Sequence, residues 1–333
     1  MRILIKLLIL LVVLLVWSGA LAAQLRQVAM LDLPGQPGFD SIAFANGKLV
    51  IAHAGANTVE IFDPVRRRLL ARVNNMSQPR GIAVDEEGSR VYVANAGNNT
   101  ITVINSQSWQ VEGNLPVPAS PGALLWAPQA ARLYCSNWHD GSISVLDPKG
   151  GSPTTVSLDG RPEDMAFDPA RKVLLVSLQD RNEVAVLSPD LGVVARYPLA
   201  GSQPTGIAVD SKNRKMFVAV RYAVLVLDLD SGKELGRIPA GAGADRVWYD
   251  DISQTIYAAA GGGAVSLIRS DGGKYVAEQE LATDVRGHTL AFDAAHKLVY
   301  VPGGREGRSK LIILKATDNA PPTRAQSASA TLR

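Results

Sequence analysis

Val91-Tyr92-Val93-Ala94-Asn95-Ala96-Gly97-Asn98-Asn99-Thr100-Ile101-Thr102-Val103-Ile104 decides the fold of this 333-residue chain. Two short β-branched and aromatic runs flank a Gly-Asn-Asn turn, which reads as an antiparallel hairpin. A preceding run, Gly81-Ile82-Ala83-Val84, supplies a further strand and ends on the turn-forming Asp85. The same frame recurs. Its corresponding apolar positions are Ile42, Ile82, Leu124, Met165, Ile207, Val247 and Leu290, spaced by 40, 42, 41, 42, 40 and 43 residues. Seven strand-rich copies at this period predict an all-β fold, a seven-bladed β-propeller with four-stranded blades.

Position by position, the repeat explains its own composition. Alanine follows the marker position in five copies, at Ala43, Ala83, Ala166, Ala208 and Ala291, with Leu125 and Trp248 in the other two. Strands nearest a propeller axis crowd one another, so a small side chain suits that place. Asp85, Asp168, Asp210, Asp250 and Asp293 close the first strand of five copies, and Asp63, Asp147 and Asp228 close the third strand of three. Aspartates in such turns bond the backbone two residues on, which assigns them to structure and not to catalysis. Ring closure is also legible. Gln27–Leu33 precedes the first copy as an orphan strand, and the seventh copy stops after three strands, so the N-terminal strand is expected to complete the last blade and cover its open edge.

The hairpin quoted above closely resembles the YVTN-type propeller repeat, named for a Tyr-Val-Thr-Asn strand. The likeness spans about Gln27 to Lys315; the second and third copies match best, and the fourth to seventh keep the apolar frame without the asparagine. The resemblance implies a bacterial or archaeal extracytoplasmic propeller, related in fold to domains of surface-layer proteins and of haem d1 or quinoprotein enzymes.

Residues 1–22 read as a signal peptide. Arg2 and Lys6 precede an apolar run from Leu7 to Trp17, and Ala20-Leu21-Ala22 has the small-x-small form of a cleavage site. Periplasmic or secreted localisation follows as an expectation, with no membrane span left after cleavage. The domain boundaries are then 23–315 for the propeller and 316–333 for an Ala/Ser/Pro-rich tail expected to be disordered. The whole chain carries 34 basic and 31 acidic side chains, and cleavage removes two of the basic ones. So balanced a surface argues against nucleic acid, whose affinity needs many Lys and Arg contacts to phosphate. One cysteine, Cys135, admits no internal disulfide, and its apolar strand marks it as a small buried hydrophobe.

Departures from the repeat carry the functional signal. In a blade, the loops entering the first strand and leaving the second open on one face. Aligning the copies puts Asp40, Arg80, Gly122, Glu163, Thr205, Asp245 and His288 just before the first strand, followed by a second ring that includes Asp164 and Arg246. The ends of the second strand add His53, Asn95 and Asn137, with Trp138 and His139 next in chain. The repeat frame needs none of these charges, since other copies hold Gly, Ala or Thr there. The candidate binding residues at the channel mouth are therefore Asp40, His53, Arg80, Asn95, Asn137, Trp138, His139, Glu163, Asp164, Asp245, Arg246 and His288. Mutual ion pairing at a solvated rim explains the same charges without a ligand. His53, His288 and Asp40, from blades adjacent after closure, are candidate ligands for a divalent metal ion; no other cofactor is identified. The catalytic motifs H-E-x-x-H, G-x-S-x-G and the P-loop are absent.

Three function classes remain open. The first is a monomeric binding module or scaffold for a small molecule or protein partner. The second is a lactonase-like hydrolase using a mouth histidine or carboxylate as base, with Arg80 or Arg246 at the oxyanion. The third is an accessory subunit of a quinone- or haem-dependent dehydrogenase, which analogy with the fold relatives suggests.

Overall fold

A computed structural model of the chain describes residues 24–85, 88–147 and 151–317. The leader expected at 1–22 and, beyond Thr317, the tail expected from 316 lie outside the described residues. Twenty-eight strands form seven separate four-stranded antiparallel sheets. Six sheets are consecutive meanders, such as Pro79–Val84, Arg90–Asn95, Thr100–Asn105 and Val111–Pro116 in blade two. The seventh combines Ala291–Asp293, Leu298–Arg305 and Arg308–Thr317 with the N-terminal strand Gln24–Asp32. That strand pairs antiparallel with the last one, from Gln24 opposite Thr317 to Asp32 opposite Lys310. Closure by the N-terminal strand is therefore as the sequence predicts, although the last strand runs to Thr317, past the boundary set at 315.

Core residues segregate into seven apolar clusters, one between each pair of neighbouring blades. Ile61, Val50 and Val59 of blade one meet Val91, Val93 and Ile104 of blade two, for example, all fully buried. Middle strands take the burial on both faces, as in Thr58–Asp63, where every residue is buried. Outer strands alternate instead, as Arg68–Val73 does, because one face meets water. The blade is held by apolar burial on both sheet faces, so the strands read as near-continuous β-branched runs.

The repeated aspartates perform the turn role assigned to them. Asp63 Oδ1 accepts from the amides of Val65 and Arg66, Asp168 from Ala170, Asp210 from Asn213 and Asp293 from His296. Asp168 does more than its sequence position announces. Fully buried at the end of blade four, it takes Arg171 at 2.9 Å and Arg214 of blade five at 2.7 Å, and Arg214 also pairs with Asp230. Burial alone raises its pKa, yet hydrogen bonds from Arg214 and Arg171 override that and hold the carboxyl far below the usual carboxylate range. Cys135 is free and fully buried, and burial pushes its thiol up, which keeps it inert.

Candidate functional site

Inner strands of neighbouring blades touch around the axis, and their first residues form the polar end of the channel. Pairing between first and second strands is irregular just there: between Pro79 and Ile82, Pro121 and Leu124, Pro162 and Met165, and Ala244 and Val247. A bulge at this point lets two successive side chains turn inward where a regular strand would offer one. Close approach of the strands also demands missing side chains. A Cβ on Gly81 would lie 2.3 Å from the Gly122 carbonyl oxygen, and one on Gly206 would lie 2.1 Å from that of Asp245. Both glycines therefore belong to the ring's geometry.

The outcome is a cavity of about 210 Å³ lined by Asp40, Arg80, Glu163, Asp164, Asp245, Arg246 and His288, with Trp138 at its wall and Ser41, Thr205 and Thr289 between the charges. Four of the charges form two pairs. Arg246 Nη1 donates to Asp164 Oδ2 at 2.7 Å, reaching from blade six to blade four, and His288 Nδ1 stands 2.8 Å from Asp245 Oδ2. Glu163 accepts a 2.8 Å hydrogen bond from the Trp138 indole, whose ring lies under the Arg161 guanidinium. Arg80 is the one cation of the lining that makes neither hydrogen bond nor ion pair among the described residues, though it bears electrostatically on both Asp40 and Glu163.

Crowded carboxyls in a half-buried ring shift one another. Burial and the charges of Asp245 and Asp40 push Glu163 up to about 7, against the opposing pull of the Trp138 bond and Arg80. Burial likewise raises Asp40, with Arg80 and His288 working the other way. The hydrogen bond to Asp245 lifts His288 to about 9, so it is a cation at neutral pH. The mouth thus holds an uncommitted guanidinium facing a carboxyl that exchanges its proton near neutrality.

Four predicted residues do not join this cavity. His53 is fully buried and stacked on Phe39 at 4.1 Å, its Nδ1 on Glu60 at 3.1 Å and its Nε2 on the Gln36 carbonyl at 2.7 Å. Asn95 and Asn137 are buried too. Asn95 Nδ2 donates to Thr102 at 2.8 Å and Thr102 to Asn114 at 2.7 Å; Asn137 Nδ2 donates to Ser144 at 2.9 Å, which in turn bonds Thr155. In blades one to three the residue ending the second strand thus anchors a polar ladder across the third and fourth strands, with His53, Glu60 and Arg72 as the blade-one version. Alignment located these side chains at the correct end of the strand, but strand alternation turns them into the sheet interface. His139 is exposed and packs edge-on against Trp138, outside the lining. With both nitrogens of His53 engaged, His53, His288 and Asp40 do not converge. No group of three or more metal-ligating side chains is arranged to hold an ion among the described residues.

Missing from the sequence expectation is a trough of about 640 Å³ beside the mouth, which shares His288 with it. Phe39, Arg286, Gly303, Gly304 and Glu306 line it, under a blade-seven hairpin whose strands run to 8 and 10 residues. The run Gly303-Gly304-Arg305-Glu306-Gly307, longer than any equivalent turn in the other copies, is the signal that could have revealed it.

No helix among the described residues is long and apolar enough to cross a membrane. No protein-family model matches the chain, and no curated protein matches it in sequence. Solved structures do share its shape. Virginiamycin B lyase from Staphylococcus aureus superposes with a TM-score of 0.73 at 12% identity, covering 88% of this chain and 99% of that one. Hydrazine synthase from Kuenenia stuttgartiensis gives 0.75 at 15% over 89% and 99%, and a chain of a mitotic checkpoint complex gives 0.75 at 13% over 88% and 95%. At such identities the likeness is one of fold: the chain is a seven-bladed β-propeller whose structural neighbours include enzymes and members of protein assemblies.

Proposed function

We propose that this propeller is a binding module that draws a small ligand bearing an anionic group into the polar end of its channel. The resemblance to YVTN-type repeats and the leader-like residues 1–22 support the periplasm or the extracellular medium as its place of action. The observation that carries the reading is Arg80. In a ring where Arg246 and His288 are each neutralised by a carboxylate, Arg80 keeps its five donors free inside a cavity. A ligand carboxylate placed against it would also accept from the protonated form of Glu163, and the adjoining trough leaves room for the rest of the molecule. Native mass spectrometry of the purified protein, with calorimetric titration of gluconate as a first probe, tests this. A stoichiometric adduct or gluconate heat that disappears in Arg80→Ala supports it; the absence of both, extended to citrate and phosphate, rejects it.

One observation favours catalysis at the same place. A carboxyl titrating near 7 within a half-buried ring is poised as a general base, and Arg80 opposite could steady a developing oxyanion. This second reading expects hydrolysis of D-glucono-1,5-lactone above background, falling by about 100-fold in Glu163→Gln, the size of a lost general base. Binding without turnover leaves the module reading alone.

A further inference from the structure

We propose that the opposite end of the channel is a second binding site, shaped for a neutral aromatic ring held against Trp248. Its origin lies in the position that the repeat reserves for alanine. In blades four and five this is Ala166 and Ala208, while blades three and six, on either side of them, carry Leu125 and Trp248. Two small residues thus make a hollow and two large ones make its walls. The hollow measures about 390 Å³ and is completed by Met165, Phe167 and Val209.

Were Trp248 a plug, it would be buried. Instead it is 38% exposed, the one exposed tryptophan among the described residues, and its indole nitrogen has no partner among them. Charge decides the ligand class. Arg246 is the single ionisable side chain in contact with the hollow apart from Tyr249, and its guanidinium is already neutralised by Asp164 at 2.7 Å. An anion would have to break that pair, and a cation would meet no carboxylate. A neutral ring gains stacking and apolar burial at no electrostatic cost, with the indole N–H free to donate to an acceptor on the ring. Arg246 touches both the polar cavity and this hollow, so its ion pair forms the partition between them.

N-phenyl-1-naphthylamine, uncharged and fluorescent only in apolar surroundings, is the probe. Titration into the folded protein is expected to saturate at one site per chain and to quench tryptophan emission. Trp248→Ala should weaken binding by about tenfold, the loss of one stacked ring. Trp248→Phe should keep it within a few-fold, and Ala208→Leu, which fills the hollow, should abolish it. Arg80→Ala should leave it unchanged. Melting curves establish that each variant is folded. Non-saturating fluorescence, wild-type affinity in folded Trp248→Ala and Ala208→Leu, or loss in Arg80→Ala would each overturn the proposal.

Discussion

Glu163 shows how one residue's surroundings set the pH behaviour of the site. Its carboxyl stands at about 7 in the fold, against roughly 4.3 in an unfolded chain. A raised folded pKa means that the stability linked to this proton is fully present below about pH 4.3 and is lost as the pH climbs through 7. The melting temperature is expected to fall between about pH 4.3 and 7 and to level off above that, and Glu163→Gln to erase that fall. Ligand affinity should follow the same titration. Above pH 7 the carboxylate adds a negative charge to the ring and loses its donor, so an anionic ligand binds less tightly; Glu163→Gln should flatten the profile up to about pH 9, where His288 begins to lose its charge. A calorimetric pH series in which the variant keeps the wild-type inflection near 7 would assign that inflection to another group. Composition gave no hint of this shift. It arises because the fold buries Glu163 and brings Asp245 and Asp40, remote in sequence, to the same cavity, against the weaker opposing pull of Arg80.

At the level of the strand, the polar ladders explain both what the sequence revealed and what it concealed. Period and alternation made the blades legible, since each copy must bury both faces of its middle strands and close them with aspartate turns. The same reading placed Asp40, Arg80, Glu163, Asp164, Asp245, Arg246 and His288 correctly at one mouth, because register within a repeat fixes depth along the channel. It misplaced His53, Asn95 and Asn137, because depth does not fix side: these residues share a level with the ring but lie on the second strand and point between sheets. Their role is a matched set with the third strand. Blade four solves the same position with Leu178 and Ala185, both fully buried, where blade two uses Asn95 and Thr102. Asn95→Leu alone removes the donor to the buried Thr102 oxygen, which keeps only its own bond to Asn114, and is expected to cost about 1–3 kcal/mol. Adding Thr102→Ala should recover much of that, a coupling readable in a double-mutant cycle of denaturant unfolding. Independent costs for the two changes would mean that the ladder is incidental. The Asp168 cluster belongs to the same scale. Asp168→Ala leaves Arg171 and Arg214 without their shared buried anion and should destabilise by roughly 3 kcal/mol, whereas Asp284→Ala, whose pair with Arg305 is exposed on both sides, should change little.

Across the whole molecule, the ring is continuous in chain at every blade junction except one. Between blades seven and one the covalent link is the segment leaving Gln24–Asp32, which belongs to blade seven by pairing and leads into blade one by sequence. That strand therefore acts as the tie of the circle, and several contacts secure it. Leu25 is buried in the cluster between blades six and seven, and the Gln279 side chain grips its backbone from blade six, accepting from the amide at 2.6 Å and donating to the carbonyl at 3.1 Å. Asp32 pairs with Lys310, and the Leu33 amide reaches the Ser309 carbonyl. Removing residues 24–32 strips the partner from Arg308–Thr317, leaving an unpaired edge beside an apolar interface that nothing tethers. The shortened chain is expected to lose its cooperative melt and to run as aggregate in size-exclusion chromatography. A synthetic peptide of residues 24–34, supplied in excess, should restore the parent elution peak and the melt by pairing with the vacated edge. Gln279→Ala should weaken that rescue severalfold while sparing the full-length protein. A shortened chain that melts like the parent would show that the seven apolar interfaces alone hold the ring shut.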